Sequence, residues 1–192
     1  MKRRLQKLII GITVISIVTP LPADIVAQWK LDEGSGTTAN DSIGNHLGTL
    51  YGNPLPTWAA GYTGISPDTC VSLNPDVTNQ YVGVDHSADL DFGISSDFSI
   101  SAWIKTSYSL GNQRIVFKKN DLFEGYTLTV VATTGKARLN IKGVGQSSAV
   151  YVDSITTVTD GQWHHIVGVR DADANINMTA LQGLKKMESE CR

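Results

Sequence analysis

Hydrophobic and polar residues alternate along most of this chain, and a period of two is the pattern of half-buried β-strands. In DFSISAWIK every second residue from Phe98 to Ile104 is apolar, and the residues between them are serine or tryptophan. The same pattern predicts a hairpin in YTLTVVATTGKARLNIKG with its turn at TTGK. Further strands are predicted at IVAQWK (residues 25–30), CVSLN, QYVGV, RIVFKK, AVYVD and WHHIVGVRD.

Glycine, asparagine and aspartate interrupt these strands at short intervals, as in DEGSG and PDVTN. Such residues favour the backbone conformations of tight turns. Residues 37–54 are predicted as loop with one short strand near residues 47–51, and TWAAGYTG is predicted as a loop or turn. The pattern therefore predicts an all-β fold, with two antiparallel sheets in a sandwich or jelly roll.

The start of the chain departs from this pattern. Residues 1–23 combine a basic start, an apolar run of about 11 residues and a final alanine, which is typical of a cleaved secretory signal peptide. A cut after Ala27 is the alternative, but it would remove part of the first predicted strand. A membrane anchor would need roughly 20 apolar residues, so we expect no membrane span after signal removal. The chain is predicted to be secreted or displayed at the cell surface.

The end of the chain departs from it as well. After Asn175 the alternation stops, and Leu181, Leu184 and Met187 follow at three-residue steps among charged residues, which indicates a weak helix. The sequence therefore predicts a domain at residues 24–175 and an atypical tail at residues 176–192, a product of frameshift or truncation. A native terminal helix is the alternative. Two cysteines are present, Cys70 and a second one in this tail, and whether they pair stays open.

Charge and motifs argue against several function classes. The net charge of -2 gives no general basic footprint for nucleic acid. No glutamate lies in the E-x-D-x-E pattern that would place the paired carboxylates of a glucan hydrolase on one strand face, and no G-x-S-x-G motif occurs. His164 and His165 are adjacent on a strand and point to opposite faces, so they cannot hold one metal together. The sequence therefore predicts that the chain is not an enzyme.

Five stretches in one order resemble the laminin-G-like jelly roll of the concanavalin A-like superfamily, in its pentraxin-related branch. They are VAQWKLDEGSGTTANDSIGNHLGTLYG, TW followed by GYTG, VSLN followed by NQYVGV, DFSISAWIKT and DGQWHHIVGVRD. The resemblance implies two antiparallel sheets packed face to face, and a binding module instead of a catalyst. It also implies that further strands follow WHHIVGVRD, so that the domain is C-terminally incomplete.

The resemblance implies calcium as a cofactor at the rim of the sheets. Calcium prefers several hard oxygen ligands. The loops supply them at Asp76 and Asn79, the first choices, at Asp85 and Asp89 close by, and at Asp171 and Asp173 further on. The stretch DADAN begins like an EF-hand loop, but its sixth position is Ile176 instead of glycine, so that interpretation fails. Aspartate and asparagine are also ordinary turn residues, and this alternative stays open.

The tryptophans are predicted to serve two purposes. Trp29, Trp103 and Trp163 lie in predicted strands, where large aromatic side chains fill a sandwich core. Trp58 lies in a stretch predicted as loop, between Pro56 and Gly61, where a core role and stacking on a sugar ring are both open.

The function expected from these features is a secreted, non-catalytic recognition module. Its partner would be a glycan or an extracellular protein, contacted through the rim loops. The alternatives are an accessory domain fragment of a larger secreted hydrolase and a structural spacer of a surface protein.

Overall fold

The computed structural model describes residues 24–93 and 95–173. Within these ranges the elements are eleven β-strands and a 3-10 helix at Ala88–Leu90. The strands are β1 (Thr38–Ala39), β2 (Gly48–Tyr51), β3 (Thr57–Ala60), β4 (Thr69–Ser72), β5 (Tyr81–Val84), β6 (Phe98–Lys105), β7 (Gln113–Lys119), β8 (Gly125–Val131), β9 (Lys136–Lys142), β10 (Val150–Thr157) and β11 (Trp163–Arg170). The predicted signal peptide at residues 1–23, the tail at residues 176–192 and Cys191 lie outside the described residues, as do the last two residues of the predicted domain.

The strands pair antiparallel in four hydrogen-bonded groups. The largest is a sheet in the order β10-β9-β8-β7, and β11 pairs with β6 along its whole length, from Trp163 opposite Lys105 to Arg170 opposite Phe98. A second sheet has the order β1-β2-β5, and β3 and β4 form a hairpin. The β8–β9 hairpin turns at TTGK, as the sequence predicted.

The core lies between the four-stranded sheet and the β6–β11 pair. Alternate residues of β8 and β9 are buried, and they pack against Phe98 of β6 and Ile166 of β11. The remaining buried members of this cluster are Tyr126, Leu128, Val130, Ala137, Leu139, Ile141 and Val158. Burial of apolar area on the facing sheets is the main stabilising contribution to such a sandwich. The described part of the chain is therefore an all-β sandwich, as predicted.

Two local predictions were wrong. Residues 25–30 form no strand, and only Trp29 makes an isolated bridge, to Asp41. Conversely, TWAAGYTG contains β3. This strand pairs with β4 in a regular ladder in which Trp58 stands opposite Val71. Whether such a short segment forms a strand depends on its contacts with the partner strand, and the local alternation of residues does not predict those contacts.

The tryptophan prediction was also wrong, because none of the three belongs to the buried core cluster. Trp103 is 43% exposed, since it stands on the face of β6 opposite the apolar residues Ile100, Ala102 and Ile104. Its ring stacks instead on Tyr62 and on His165, with centroid distances of 4.0 Å and 4.9 Å. These aromatic contacts cover part of the outer face of the β6–β11 pair.

Within the described ranges, no helix has the length and apolar character needed to cross a membrane.

Candidate functional site

Two loops meet at one end of the β1-β2-β5 sheet. β2 and β5 are antiparallel, with Gly48 opposite Val84, so the loop that precedes β2 and the loop that follows β5 lie side by side. We name residues 41–47 the first rim loop and residues 85–91 the second rim loop. They enclose a cleft of about 440 Å³. Its lining comes from Gly44, Asn45, His46, Leu47, Asp85, His86, Ser87 and Asp89.

The carboxylate of Asp41 shapes the first rim loop. Its Oδ1 accepts hydrogen bonds from the backbone N–H groups of Gln28 and Ile43, at 2.8 Å and 3.0 Å. Its Oδ2 lies 2.6 Å from Nδ1 of His46, and the Asp41 side chain is only 1% exposed. Burial alone would raise the pKa of Asp41, but these hydrogen bonds outweigh burial and lower it well below its usual range. Asp41 is therefore an ionised anchor at neutral pH.

His46 joins the two rim loops. Its side chain is 7% exposed, and its Nε2 lies 3.0 Å from both carboxylate oxygens of Asp89 in the second rim loop. Hydrogen bonds to Asp41 and then to Asp89 raise the pKa of His46 above its ordinary value of 6.5. In the protonated imidazolium both ring nitrogens donate, so His46 satisfies a carboxylate on each side.

Asp89 is held in turn by the hydroxyl of Ser87, which donates a hydrogen bond to Oδ1. This bond and the bond with His46 lower the pKa of Asp89. The indole N–H of Trp29 donates to the backbone carbonyl of His46 at 2.7 Å, which fixes the His46 backbone from the other side. The walls of the cleft are thus held by hydrogen bonds within and between the loops.

Gly44 provides the space for this arrangement. A Cβ at this position would lie 2.6 Å from Oδ2 of Asp41 and 2.7 Å from Nδ1 of His46. Both of those atoms are fixed by the hydrogen bond between them, so neither can move away cheaply. The glycine in the SIGNH stretch therefore permits the contact between Asp41 and His46.

The cleft offers polar groups beside an apolar wall. Asn45 and Asp85 are exposed, and Leu47 is 57% exposed. The second rim loop is tied to the body of the sandwich, because Lys118 of β7 lies 2.9 Å from Asp91, and Tyr126 donates to the carbonyl of Leu90 at 2.8 Å. A concave surface that presents polar groups beside an apolar contact can bind a small polar ligand.

The arrangement of His46 is unsuited to proton transfer. A general base needs a ring nitrogen within hydrogen-bond reach of the proton it removes. Both ring nitrogens of His46 already face carboxylates, and both carboxylates have lowered pKa values, so neither carries a proton to donate near neutral pH. These groups fix the shape of the cleft.

The predicted calcium ligands Asp76 and Asn79 lie in the turn between β4 and β5, and both are exposed. The backbone N–H of Asp76 donates to Oδ1 of Asn74 at 2.9 Å, and Asn79 has a positive φ of 65°. Both features are typical of turns that contain asparagine, whose side chain accepts a hydrogen bond from the backbone two residues on and which tolerates a positive φ.

Asp171 and Asp173 lie in the turn after β11. The backbone N–H of Asp173 donates to Oδ1 of Asp171 at 3.0 Å, and Ala172 donates to Oδ1 of Asp97, just before β6, at 2.6 Å. In residues 24–93 and 95–173, no group of three or more His, Cys, Asp or Glu side chains is placed to hold a metal ion. Calcium binding at these residues therefore stays a prediction.

Trp58, the predicted sugar-stacking residue, lies in β3 and is half-buried. Its indole N–H donates to the carbonyl of Gly36 at 2.9 Å, which ties the β3–β4 hairpin to the loop before β1. Cys70 of β4 forms no disulfide with another described residue, and burial raises the pKa of its thiol. A ligand role for Trp58 stays a prediction.

Sequence reasoning named Asp85 and Asp89 of this cleft only as possible calcium ligands, and it did not identify His46 or its contacts. His46 is five residues from Asp41 and 43 residues from Asp89, so no compact motif unites them. The only local signal is the run DSIGNH, in which an aspartate, a glycine and a histidine follow one another closely.

Comparison with known proteins gave one family match and one similar solved structure. The family model Laminin_G_3, described as concanavalin A-like lectin/glucanases superfamily, matches residues 76–179, which is more than half of the chain. The search of curated proteins gave no match.

One solved structure is similar, that of an S-layer domain-containing protein (residues 221–444) from Clostridium thermocellum ATCC 27405. The two share 22% sequence identity with a TM-score of 0.50, over 76% of this chain and 64% of that chain. The chain thus spans less than two thirds of the length of that structure. At this identity the likeness concerns the fold alone.

Proposed function

This chain belongs to the concanavalin A-like lectin/glucanases superfamily, and on that premise we propose that it is a non-catalytic recognition module acting outside the cell. The ligand is a glycan, contacted by the two rim loops. Membership of this family is in keeping with a carbohydrate- or protein-binding module in general, and the choice of a glycan rests on the cleft.

The observation that carries the proposal is the fixed, polar cleft between the rim loops. A sugar presents hydroxyl groups in fixed directions, and the exposed amide of Asn45 and carboxylate of Asp85 are suited to hydrogen bonds with adjacent hydroxyls. Leu47 supplies an apolar contact for the C–H face of a sugar ring. Because His46 joins Asp41 and Asp89, the two rim loops are held together before the ligand arrives, which reduces the loop entropy lost on binding.

The non-catalytic character is supported by the state of the ionisable groups. Glycosidases need one carboxylic acid whose pKa is raised, so that it can protonate the leaving group. Asp41 and Asp89 have lowered pKa values and act as hydrogen-bond acceptors for His46. The action outside the cell is supported by the signal-like residues 1–23.

A glycan array that also carries extracellular proteins tests the proposal. We expect the wild-type chain to bind a subset of glycans, and the N45A/D85N variant to lose that binding. The D121N variant is the matched control, because Asp121 is an exposed aspartate in a different loop. Binding to proteins alone, or glycan binding that survives in N45A/D85N, would contradict the proposal.

A further inference from the structure

Two loops lie side by side at one end of the four-stranded sheet. Residues 120–124 join β7 to β8, and residues 143–149 join β9 to β10. Because the four strands are antiparallel neighbours in the order β10-β9-β8-β7, both connections lie at the same end of the sheet. The backbone N–H of Gly145 donates a hydrogen bond to Oε1 of Glu124 at 2.8 Å. The two loops therefore form one surface.

This surface carries three exposed apolar side chains. Leu122, Phe123 and Val144 are 66%, 67% and 87% exposed. Phe123 and Val144 each come directly before a residue of the hydrogen bond between Glu124 and Gly145, so the two loops bring the three side chains together. Single exposed apolar residues are ordinary, whereas a group of them marks an interaction surface. We name Leu122, Phe123 and Val144 the apolar tip.

Phe123 has a backbone conformation that a bulky side chain does not favour. Its φ is 59°, in the left-handed region where glycine and asparagine are the usual residues. The ring is largely exposed, so burial within the fold does not offset the energy of this conformation. The stability of the fold therefore does not account for the aromatic ring at this position, whereas a contact with another surface would.

The backbone of the first loop has hydrogen-bond partners of its own. Oδ1 of Asn120 accepts hydrogen bonds from the N–H groups of Leu122 and Glu124, at 3.0 Å and 2.9 Å. The N–H of Phe123 donates to the carbonyl of Asn120 at 2.9 Å, and the ammonium of Lys142 donates to the carbonyl of Leu122 at 3.2 Å. Backbone groups that lose water without gaining a partner cost free energy in an apolar medium. Since these groups already have partners, the tip can leave water at a low cost.

The charges around the apolar tip balance one another. Lys119 and Lys142 flank it as cations, and Asp121 and Glu124 flank it as carboxylates. Hydrogen bonds from Asn120 and from a backbone N–H lower the pKa of Glu124, so this carboxylate stays ionised at neutral pH. The four charges then sum to zero. An anionic partner would gain little from this surface, and the apolar side chains have to supply the affinity.

We propose that the apolar tip binds the surface of a lipid bilayer, with Leu122 and Phe123 entering the boundary between the headgroups and the acyl chains. The protein would lie on the bilayer without spanning it. Lys118, near the end of β7, lies 2.7 Å from Nδ1 of His86 in the second rim loop, so the tip and the cleft lie at the same end of the sandwich. The tip is nevertheless a separate surface, and its binding to lipid does not depend on the cleft.

A bilayer fits this surface better than a protein partner. A stable protein interface of standard size buries about 800 Å² on each partner, over a broad and complementary surface. The apolar tip consists of three side chains at the ends of two loops, and exposed polar residues such as Asp121 and Gln146 adjoin it. A few apolar side chains can enter the fluid headgroup region without a partner of complementary shape.

Sedimentation with phosphatidylcholine vesicles tests the proposal. It uses the exported form that begins at Asp24, because the apolar run within residues 1–23 would itself bind lipid. We expect the wild type to bind the vesicles and Phe123→Gly to bind about tenfold more weakly, because a large apolar side chain no longer enters the lipid. L122S/F123S should show a larger loss. Leu110→Ser is the matched control, because Leu110 is an exposed leucine in the loop before β7, at the opposite end of that strand.

A measurement of stability separates a loss of binding from a loss of folding. Glycine adopts a φ of 59° without strain, so Phe123→Gly should unfold at the same urea concentration as the wild type or at a higher one. Weaker binding of lipid by this variant then reports the missing ring. The cleft variant N45A/D85N should bind the vesicles as the wild type does, so the failure of the cleft proposal and the failure of this one are distinguishable.

Several results would overturn the proposal. One is an absence of vesicle binding by the wild type, and another is an equal loss in Leu110→Ser. Binding that requires phosphatidylglycerol and disappears at high salt would assign the contact to the lysines instead of the apolar tip. Self-association of the wild type that L122S/F123S abolishes, without vesicle binding, would show that the tip binds a second copy of the chain.

Discussion

The sandwich core and the rim loops are held together by different physical forces. In the core, apolar residues such as Leu139 and Ile166 are fully buried between facing sheets, and their contribution does not depend on pH. In the rim loops, one buried histidine joins two carboxylates that are distant in sequence. The comparison shows that the domain is stabilised by two chemically different contributions, one independent of pH in the core and one dependent on pH in the rim loops, so different substitutions and conditions should affect them.

The largest expected effect comes from the core. Leu139→Ala should lower the free energy of unfolding by about 2–5 kcal/mol, because the lost methyl groups leave a cavity in a fully buried site. Urea denaturation measures it. Ile155→Ala is the matched control, since Ile155 is 74% exposed in β10 and its truncation should change stability by about 0.5 kcal/mol or less. Similar losses in the two variants would argue against the assigned core.

A smaller loss is expected at the rim. His46→Gln should lower the free energy of unfolding by about 1–3 kcal/mol, because the buried carboxylate of Asp41 loses its charged partner. His86→Gln serves as the control, because the His86 side chain is 71% exposed. Denaturation of both variants at pH 6 gives the comparison, and an effect of His86→Gln as large as that of His46→Gln would refute the special role of His46.

The dependence on pH should separate the two regions further. The folded state holds the proton of His46 more tightly than the unfolded state, because Asp41 and Asp89 raise its pKa above 6.5. The stabilisation is therefore complete below about pH 6.5 and is lost as the pH rises through the folded-state pKa. Denaturation from pH 5 to pH 9 should show this decline in the wild type and in Leu139→Ala, but not in His46→Gln. The same decline in His46→Gln would show that another titratable group causes the loss of stability at high pH.

The smallest effect is expected for Asp89→Asn, since the Asp89 side chain is 55% exposed and solvent screens its charge. Hydrogen bonds from Ser87 and then His46 lower the pKa of Asp89 below 3.8, so its contribution is present above about pH 3.8 and lost on further acidification. The variant should keep the alkaline decline, in a reduced form, because Asp41 still holds the proton of His46. If the decline in stability at high pH were absent from Asp89→Asn, then Asp89 instead of Asp41 would be the carboxylate that holds the proton of His46.

Local alternation was sufficient to predict most of the sandwich from the sequence. Phe98, Ile100, Ala102 and Ile104 face the core as their spacing predicted, and the strands from β4 to β11 all fall within or beside the predicted stretches. The same period placed Trp103 on the opposite face, and the expectation that it fills the core overlooked this. That expectation was based on the size of the tryptophan side chain, although its position on the strand already indicated the outer face.

The sequence alone could not predict the contacts between the rim loops, because they depend on which strands pair and in which register. Asp89 meets His46 only because β2 pairs with β5. A one-residue slip would move each side chain to the other face. Exposed aspartates such as Asp76 and Asp171 were visible in the sequence, and calcium binding by them stays a prediction.

The central claim is that the cleft binds a glycan without changing it. The most direct test incubates the wild-type chain with an array-identified glycan, measures binding by isothermal titration, and then sizes the recovered glycan by chromatography. The account predicts saturable binding that N45A/D85N abolishes, with the glycan recovered at its original length. Shorter fragments from purified wild-type protein, or binding that N45A/D85N leaves unchanged, would contradict it.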